Sequence, residues 1–208
     1  MSRLLYIQAS PRGERSHSLA LADAFVAAYR KLHPKDAVET RNVFQMNLPA
    51  LDGETLAVKY NIMHGEPSSD AEKARWKAVE EVIADFKAAD KLVFAVPMWN
   101  FNIPYALKHY LDVLCQPSYT FSAGPEGYKG LCAAKAFIAY SRGGEYPATG
   151  AAQDIWNFQS TYLEFQLRFI GITDVQSAIV QPTLKGPEAL QKAKDAALAK
   201  ALEIAATF

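Results

Sequence analysis

The stretch of residues 92–104, with the sequence LVFAVPMWNFNIP, carries the strongest evidence for the fold of this chain. Its first five residues are apolar without alternation, which is typical of a parallel strand that is buried on both faces. The strand runs into a loop between Pro97 and Pro104 that carries Met, Trp and Phe side chains. Because ligands of open α/β sheets bind at the carboxyl ends of the strands, the loop predicts a surface for a flat aromatic ligand. An apolar cap on the core is the alternative, and this stretch alone does not separate the two.

A second loop of interest lies near the amino terminus. Residues 4–9 predict a strand and residues 20–32 a helix, and between them the segment SPRGERSHS, residues 10–18, brings three serines to the helix start. The apolar side of the helix is formed by Leu19, Ala22, Phe25, Val26 and Tyr29. Free N–H groups, the helix dipole and serine hydroxyls together bind phosphate, and Arg12 and Arg15 raise the positive potential. Simple N-capping by Ser16 or Ser18 is the alternative, but a cap needs only one hydroxyl.

A third loop follows the apolar strand predicted at residues 136–140. It reads Ser141-Arg142-Gly143-Gly144, and paired glycines permit positive φ and close approach of the backbone to a ligand. An ordinary turn between a strand and a helix needs the same conformational freedom, so the motif by itself is weak evidence for a ligand site. Its weight comes from position, because three such loops converge on one edge of a parallel sheet.

The remaining elements alternate between strand and helix patterns, which predicts a parallel sheet with helices on both faces. Further strands are expected at residues 37–44 and 175–180, and helices at 71–89, from Pro104 to before Pro117, at 154–169 and at 187–206. The helix at 71–89 has the apolar stripe Trp76, Val79, Val82, Ile83 and Phe86, and the helix after Pro104 has Tyr105, Leu107, Tyr110, Leu111 and Leu114. Residues 60–70 are expected to form a mobile loop, and residues 118–130 an excursion before the fourth strand.

These motifs resemble those of the FMN-dependent azoreductase family, the flavodoxin-like NAD(P)H:quinone and azo-dye reductases. The matching segments are residues 9–12, 16–18, 97–104, 120–121, 124–127, 141–144 and 169–172, which span almost the whole chain. The resemblance implies one flavodoxin-like FMN-binding domain over residues 1–208, with a doubly wound five-stranded parallel sheet in the order 2-1-3-4-5. Two departures stand out: Trp99 replaces a common tyrosine, and Cys115-Gln116-Pro117 replaces the more usual Arg-Ala-Gly.

The resemblance also implies a set of cofactor-binding residues. The FMN phosphate would be bound by Ser10, Ser16, His17 and Ser18, and the flavin ring by Met98, Trp99, Asn100, Phe101, Ser141, Arg142, Gly143 and Gly144. Family members are homodimers whose two FMN pockets are each lined by both chains. An aromatic set at Trp156, Phe158, Tyr162 and Phe165 is compatible with such an interface, although it could also pack on the sheet.

The implied reaction is hydride transfer from NADH or NADPH through FMN to quinones and azo compounds, in a ping-pong sequence. Reduction places negative charge on the N1–C2=O edge of the flavin, and backbone N–H groups around Asn100 or Gly143-Gly144 are candidates to stabilise it. Because the cofactor carries the chemistry, no catalytic side chain is assigned. The candidates for a proton donor are Tyr119, Tyr128 and Tyr146, whose alternative role is packing at a subunit interface.

Two rival functions follow from the same sequence. Flavodoxin-type electron carriers share the predicted fold, but they are usually shorter and strongly acidic, whereas this chain is neutral and has extra segments at residues 45–70 and 118–130. A Ser-His-Asp hydrolase is weaker, because the chain contains no Gly-x-Ser-x-Gly sequence. The sequence therefore favours an oxidoreductase.

Composition limits the partners and the compartment. The chain has 208 residues, 22 basic and 22 acidic side chains and no net charge, which argues against nucleic acid as a principal partner. Cys115 and Cys132 do not form a Cys-x-x-Cys pair, and the four histidines are scattered, so neither a disulfide framework nor a metal site is expected. Neither a signal peptide nor a membrane span is expected. These features predict a cytoplasmic protein.

Overall fold

The structure is a computed structural model, and it describes residues 1–146 and 156–208. The strands are β1 (Arg3–Gln8), β2 (Ala37–Asn42), β3 (Lys91–Pro97), β4 (Phe121–Gly124), β5 (Gly127–Gly130), β6 (Lys135–Ser141) and β7 (Asp174–Val180). The helices are α1 (His17–Leu32), α2 (Gly53–His64), α3 (Asp70–Lys87), α4 (Tyr105–Leu114), α5 (Phe158–Phe169) and α6 (Pro187–Thr207). Five strands pair in parallel in the order β2-β1-β3-β6-β7. Counted among the parallel strands alone, this is 2-1-3-4-5, so the predicted order is confirmed.

The sheet is covered on both faces, as predicted, and the alternation of side chains along each strand shows it. Leu5 and Ile7 of β1 face the core that contains α3, α4 and α5, whereas Leu4 and Tyr6 face the core that contains α1 and α6. Phe25 of α1 stacks on Phe137 of β6 at a centroid distance of 4.0 Å. Each strand thus supplies apolar side chains to both cores, which explains the unbroken apolar runs in the sequence.

The predicted helix stripes are mostly confirmed. All five apolar residues assigned to the buried side of α1 are buried, and so are Trp76, Val79, Ile83 and Phe86 of α3, with Val82 packed at the edge of the core. In α4 the prediction was wrong for Tyr105, which is 71% exposed. Tyr105 is the first residue of the helix and lies outside the stripe, and the edge of its ring contacts Phe44.

Other predictions need correction. Residues 60–64 belong to α2 and not to a loop, because Asp52 caps its start by accepting from Thr55 N at 2.9 Å and Gly65 ends it with φ 71°. The excursion after α4 contains an antiparallel hairpin of β4 and β5. Strand β2 ends at Asn42 and α1 begins at His17. Helix α5 begins at Phe158, and the predicted start at Asp154 lies outside the described residues.

Among the described residues, no helix combines the length and the apolar character that a membrane crossing requires.

Candidate active site

Three loops meet at the carboxyl edge of the sheet, because β1, β3 and β6 are neighbours. Backbone hydrogen bonds continue the ladder beyond the strand ends. Ala9 N donates to Ala95 O at 3.0 Å, and Met98 N donates to Ser141 O at 2.8 Å. The structure therefore brings the loops after Ala9, after Pro97 and after Ser141 together, as the sequence predicted. The site lies beside β1 and β3, where the strand order reverses.

The loop after β1 presents buried hydroxyl groups at the start of α1. Ser16 is the N-cap and accepts from Leu19 N at 3.3 Å, while its hydroxyl lies 3.2 Å from that of Ser18. Ser10 is also buried, and its Oγ has no hydrogen-bond partner among the described residues. A buried hydroxyl without a partner is unfavourable unless a ligand supplies one. The capping alternative thus holds for Ser16 but does not explain Ser10.

Positive charge surrounds the same helix start. Burial lowers the pKa of His17, and the nearby cations Lys194 and Arg12 lower it further. Arg12 and Arg15 are exposed at a short 3₁₀ turn that contains Gly13 with φ 54°. Lys194 comes from α6 and was not predicted, because nothing in the sequence indicates which face of a Lys-rich helix approaches α1. The residues present fit a phosphate dianion: hydroxyl donors, a helix amino terminus and cations.

The loop after β3 is a tight two-residue turn. Trp99 N donates to Asn102 O at 2.8 Å, Asn102 N donates to Trp99 O at 2.9 Å, and Asn100 and Phe101 between them have φ of 46° and 70°. Positive φ at both central residues is the signature of a type I′ turn. Asn tolerates this conformation, but an aromatic residue there is strained and needs support from its surroundings.

The turn directs its side chains to two sides. Phe101 packs against Tyr146 and Trp156, at centroid distances of 6.2 and 5.8 Å. Trp99 packs against Phe44 and Tyr105 on the other side, at 5.7 and 6.3 Å. The N–H groups of Asn100 and Phe101 lie outside the cross-turn pair, so they remain available as donors. Aromatic surface and backbone donors are thus combined in one turn, which suits a flat polar ring.

In the loop after β6, Arg142 is turned into the protein. Its guanidinium, with the residue 2% exposed, donates to Gln159 Oε1 at 2.7 Å, Ser160 Oγ at 3.0 Å and Tyr146 O at 3.1 Å. Burial lowers its pKa, and nearby Tyr140, Glu164 and Tyr146 oppose that effect. Gln159 also donates to Val96 O at 3.0 Å, so it joins β3, the Arg142 loop and α5. Gln159 was not among the predicted site residues, although a polar residue on the buried side of a predicted helix was a signal.

The backbone of Arg142 is used within the protein as well. Its N–H donates to Val180 O and its carbonyl accepts from Thr183 N, both at 3.0 Å. The carbonyl of Gly143 accepts from Thr183 N and Leu184 N, both at 3.2 Å, so among the described residues the N–H groups of Gly143 and Gly144 are the backbone donors that this loop leaves for a ligand. A Cβ on Gly143 would lie 2.8 Å from a terminal methyl of Leu184, but Leu184 is 84% exposed and its side chain can move aside, so space alone does not require glycine here.

The three tyrosines considered as proton donors lie in different places. The hydroxyl of Tyr119 donates to Glu80 Oε1 at 2.5 Å and accepts from Trp76 Nε1 at 3.1 Å, which fixes it to α3. Tyr128 is exposed on the hairpin and packs on Phe169. Only Tyr146 of the three lies among the converging loops, beside Gly144 and Phe101.

Comparisons with known proteins agree with this architecture. The model of a family described by its flavodoxin-like fold matches residues 2–205. An FMN-dependent NADH:quinone oxidoreductase from Nitratidesulfovibrio vulgaris is 46% identical over 210 aligned positions that cover 100% of both chains. An azoreductase structure from Bacillus anthracis has a TM-score of 0.91 at 27% identity and covers 100% of both chains.

A second solved structure, an FMN-dependent NADH-azoreductase from Bacillus anthracis in complex with FMN, has a TM-score of 0.87 at 26% identity. It covers 100% of this chain and 99% of that chain. The predicted family and fold are therefore confirmed. This chain belongs to the flavodoxin-like family that contains the FMN-dependent NADH:quinone oxidoreductases and azoreductases.

Proposed function

We propose that this protein is an FMN-dependent oxidoreductase that passes hydride from NADH to quinones and azo compounds in a ping-pong sequence. The observation that carries the proposal is the meeting of a phosphate-type helix start, an aromatic turn with free N–H groups and a Gly-Gly loop at one sheet edge. The names of the similar proteins support the choice of FMN, NADH and quinone.

The phosphate of FMN would be held by Ser10, Ser16, His17 and Ser18. The flavin ring would be held by residues of two loops: Met98, Trp99, Asn100 and Phe101 after β3, and Ser141, Arg142, Gly143 and Gly144 at the end of β6. When bound, FMN supplies a group that takes up two electrons as hydride and gives them to an acceptor. In sum, NADH, a quinone and one solvent proton give NAD⁺ and a hydroquinone.

The protein's own task is electrostatic. Negative charge develops at the N1–C2=O edge of a reduced flavin, and fixed dipoles that point there stabilise it without reorganisation. The N–H groups of Asn100, Gly143 and Gly144 would donate to that edge. The buried guanidinium of Arg142 fixes the Gly-Gly loop through its bonds to Gln159 and Ser160, so Arg142 acts as a positioning residue.

We also propose a homodimer. Trp156, Phe158 and Phe165 are 49%, 54% and 62% exposed, so these aromatic residues do not pack on the sheet of their own chain. Tyr162 is half-buried beside them. Since Trp156 contacts Phe101, a second chain that covers this surface would also form a wall of the flavin pocket. A fully active monomer by light scattering at micromolar concentration would contradict the dimer.

Anaerobic stopped-flow of the FMN-loaded protein tests the reaction. The flavin should be bleached by NADH in a first phase and reoxidised by a quinone in a second, with NADPH as the donor control. Quinones should react faster than azo dyes, because cleavage of an azo bond needs two reduction cycles. A persistent neutral semiquinone, with electrons passed only to a protein partner, would instead establish an electron carrier.

A further inference from the structure

A cavity of about 340 Å³ lies beside the 99–102 turn and is lined by Trp99, Asn100 and Asn102 of that turn but not by Phe101. Its walls include Trp99 and Ile103 from the loop, Tyr105 and Lys108 from α4, and Tyr162 from α5. Small-molecule sites in proteins have volumes of roughly 300–1,000 Å³, so this cavity is of the size that receives one small aromatic molecule.

The walls are aromatic, and neighbouring residues fix their positions. The rings of Trp99, Phe44 and Tyr105 form a cluster in which each contacts the other two. Tyr162 closes another side from α5, with its ring centroid 6.0 Å from Lys108 Nζ. Trp99 stands where the family more often has tyrosine, so this chain presents a larger aromatic face to the cavity. Flat rings pack well on such faces.

Lys108 gives the cavity a positive charge. Among the described residues that line it, Lys108 is the one with an ionised side chain at neutral pH. Its ammonium donates to both carboxylate oxygens of Asp112, at 2.5 and 2.7 Å, and both side chains are half-exposed. Lys108 lines the cavity and Asp112 does not, and the Lys108 ammonium lies 6.0 Å from the ring centroid of Tyr162, which is also part of the cavity wall.

The charge on Lys108 is secure. Burial alone would lower the pKa of its ammonium, but the hydrogen bond to Asp112 and the nearby Tyr162 outweigh that effect, and the pKa is raised. Lys108 therefore stays cationic throughout the neutral range. A partly shielded cation next to aromatic walls recognises an aromatic ring that carries a negative group.

We propose that this cavity is an acceptor subsite that selects flat aromatic acceptors with an anionic substituent, a sulfonate or a carboxylate, which Lys108 binds. The inference rests on the proposed function and names its acceptor class. The ring of the acceptor packs against Trp99 and Tyr105, and the anionic group points to Lys108.

The experiment compares 1,2-naphthoquinone-4-sulfonate with 1,2-naphthoquinone as oxidant of the reduced holoenzyme. The quantity measured is the ratio of kcat/KM for the sulfonate to that for the neutral quinone. Lys108→Gln should lower this ratio about fivefold, the size expected for one partly exposed charge pair. Lys108→Glu should lower it further, and Asp112→Asn should raise it, because the counter-ion is removed.

A matched pair of controls exists on α3, where Lys73 lies 3.7 Å from Asp70 in an exposed ion pair. Lys73→Gln and Asp70→Asn make the same changes of net charge and should leave the ratio unchanged. Calorimetric titration with 1-naphthalenesulfonate and with 1-naphthol supplies a readout without turnover. Lys108→Gln should weaken the binding of 1-naphthalenesulfonate and leave the binding of 1-naphthol unchanged.

The outcomes separate this inference from the proposed function. If wild type reduces both quinones and the ratio does not respond to Lys108→Gln or Lys108→Glu, the subsite is wrong and the oxidoreductase stands. The subsite is also wrong if the dimer does not bind 1-naphthalenesulfonate, as would happen if the second chain covered the cavity. If wild type reduces neither quinone, the proposed function is wrong, and the acceptor subsite that rests on it is wrong as well.

Discussion

Replacement of Ser10 by alanine should have opposite effects on the apoprotein and on the complex with FMN. In the free protein, Ser10 Oγ is buried without a partner among the described residues. An unsatisfied buried hydroxyl costs about 1–3 kcal/mol, so Ser10→Ala should raise the free energy of unfolding of the apoprotein toward that range. In the complex, a hydrogen bond to a charged phosphate contributes about 1.5–3 kcal/mol, so FMN affinity should fall roughly 10- to 150-fold.

The assay has three parts: urea unfolding of the apoprotein, fluorescence titration with FMN, and the same titration with riboflavin. Riboflavin lacks the phosphate, so its affinity should not change in Ser10→Ala. Tyr110→Phe is the matched control, since Tyr110 also carries a buried hydroxyl without a partner but lies on α4 in the core. It should stabilise the apoprotein and leave the binding of both flavins unchanged.

Two results would refute this reasoning about Ser10. The first is an equal loss of affinity for FMN and riboflavin, which would mean that the substitution disturbs the site as a whole. The second is an apoprotein that Ser10→Ala destabilises, which would mean that the hydroxyl is already satisfied. Both quantities come from the same preparation, so they are directly comparable.

Three further predictions concern other parts of the site. Arg142→Met should lower the free energy of unfolding of the apoprotein by about 3 kcal/mol, because it leaves buried polar partners unpaired. A decrease of less than about 1 kcal/mol, measured by urea unfolding, would contradict this. Phe165→Glu should give a folded monomer by light scattering, whereas the control Leu32→Glu should stay dimeric, because Leu32 is comparably exposed (54% against 62%) but lies on α1. Because burial lowers the pKa of His17, apoprotein stability should fall as the pH drops below about 6.5, where the unfolded chain takes up a proton that the folded chain resists. His17→Gln should remove that part of the pH dependence. A variant whose stability in urea depends on pH in the same way as that of the wild type would contradict this assignment to His17.

The parts of the fold that follow from periodicity could be predicted from the sequence. Strands with unbroken apolar runs must be covered on both faces, and helices with one apolar stripe can cover them. The sequence therefore predicted a sheet between two layers of helices. Helix α2 was not predicted, because only Thr55 and Val58 are buried in it, and two buried residues are too few to form a recognisable apolar stripe. Its capping residues, Asp52 and Gly65, were the usable signal.

The location of the site followed from topology, but its internal contacts did not. Parallel strands place their carboxyl ends on one edge, so the three loops had to meet there. The contacts of Arg142 with Gln159 and Ser160 depend on how α5 packs against β6, which no local pattern encodes. The same holds for Lys194 near His17 and for Lys108 beside Tyr162, since each pair joins separate helices.

Several unfavourable features of this chain are concentrated in the three converging loops. Asn100 and Phe101 have positive φ, Ser10 has a hydroxyl without a partner, and Arg142 is a buried cation held mainly by neutral acceptors among the described residues. Each feature opposes folding, and the proposed function gives each one a role in binding an anionic, flat, polar ligand. In the proposed complex, Ser10 would donate to the phosphate, the turn would offer its N–H groups to the ring, and the buried cation would favour negative charge near the Gly-Gly loop. Selection for stability alone does not lead us to expect three such features at one sheet edge, so their concentration there supports the proposed site for a flavin nucleotide.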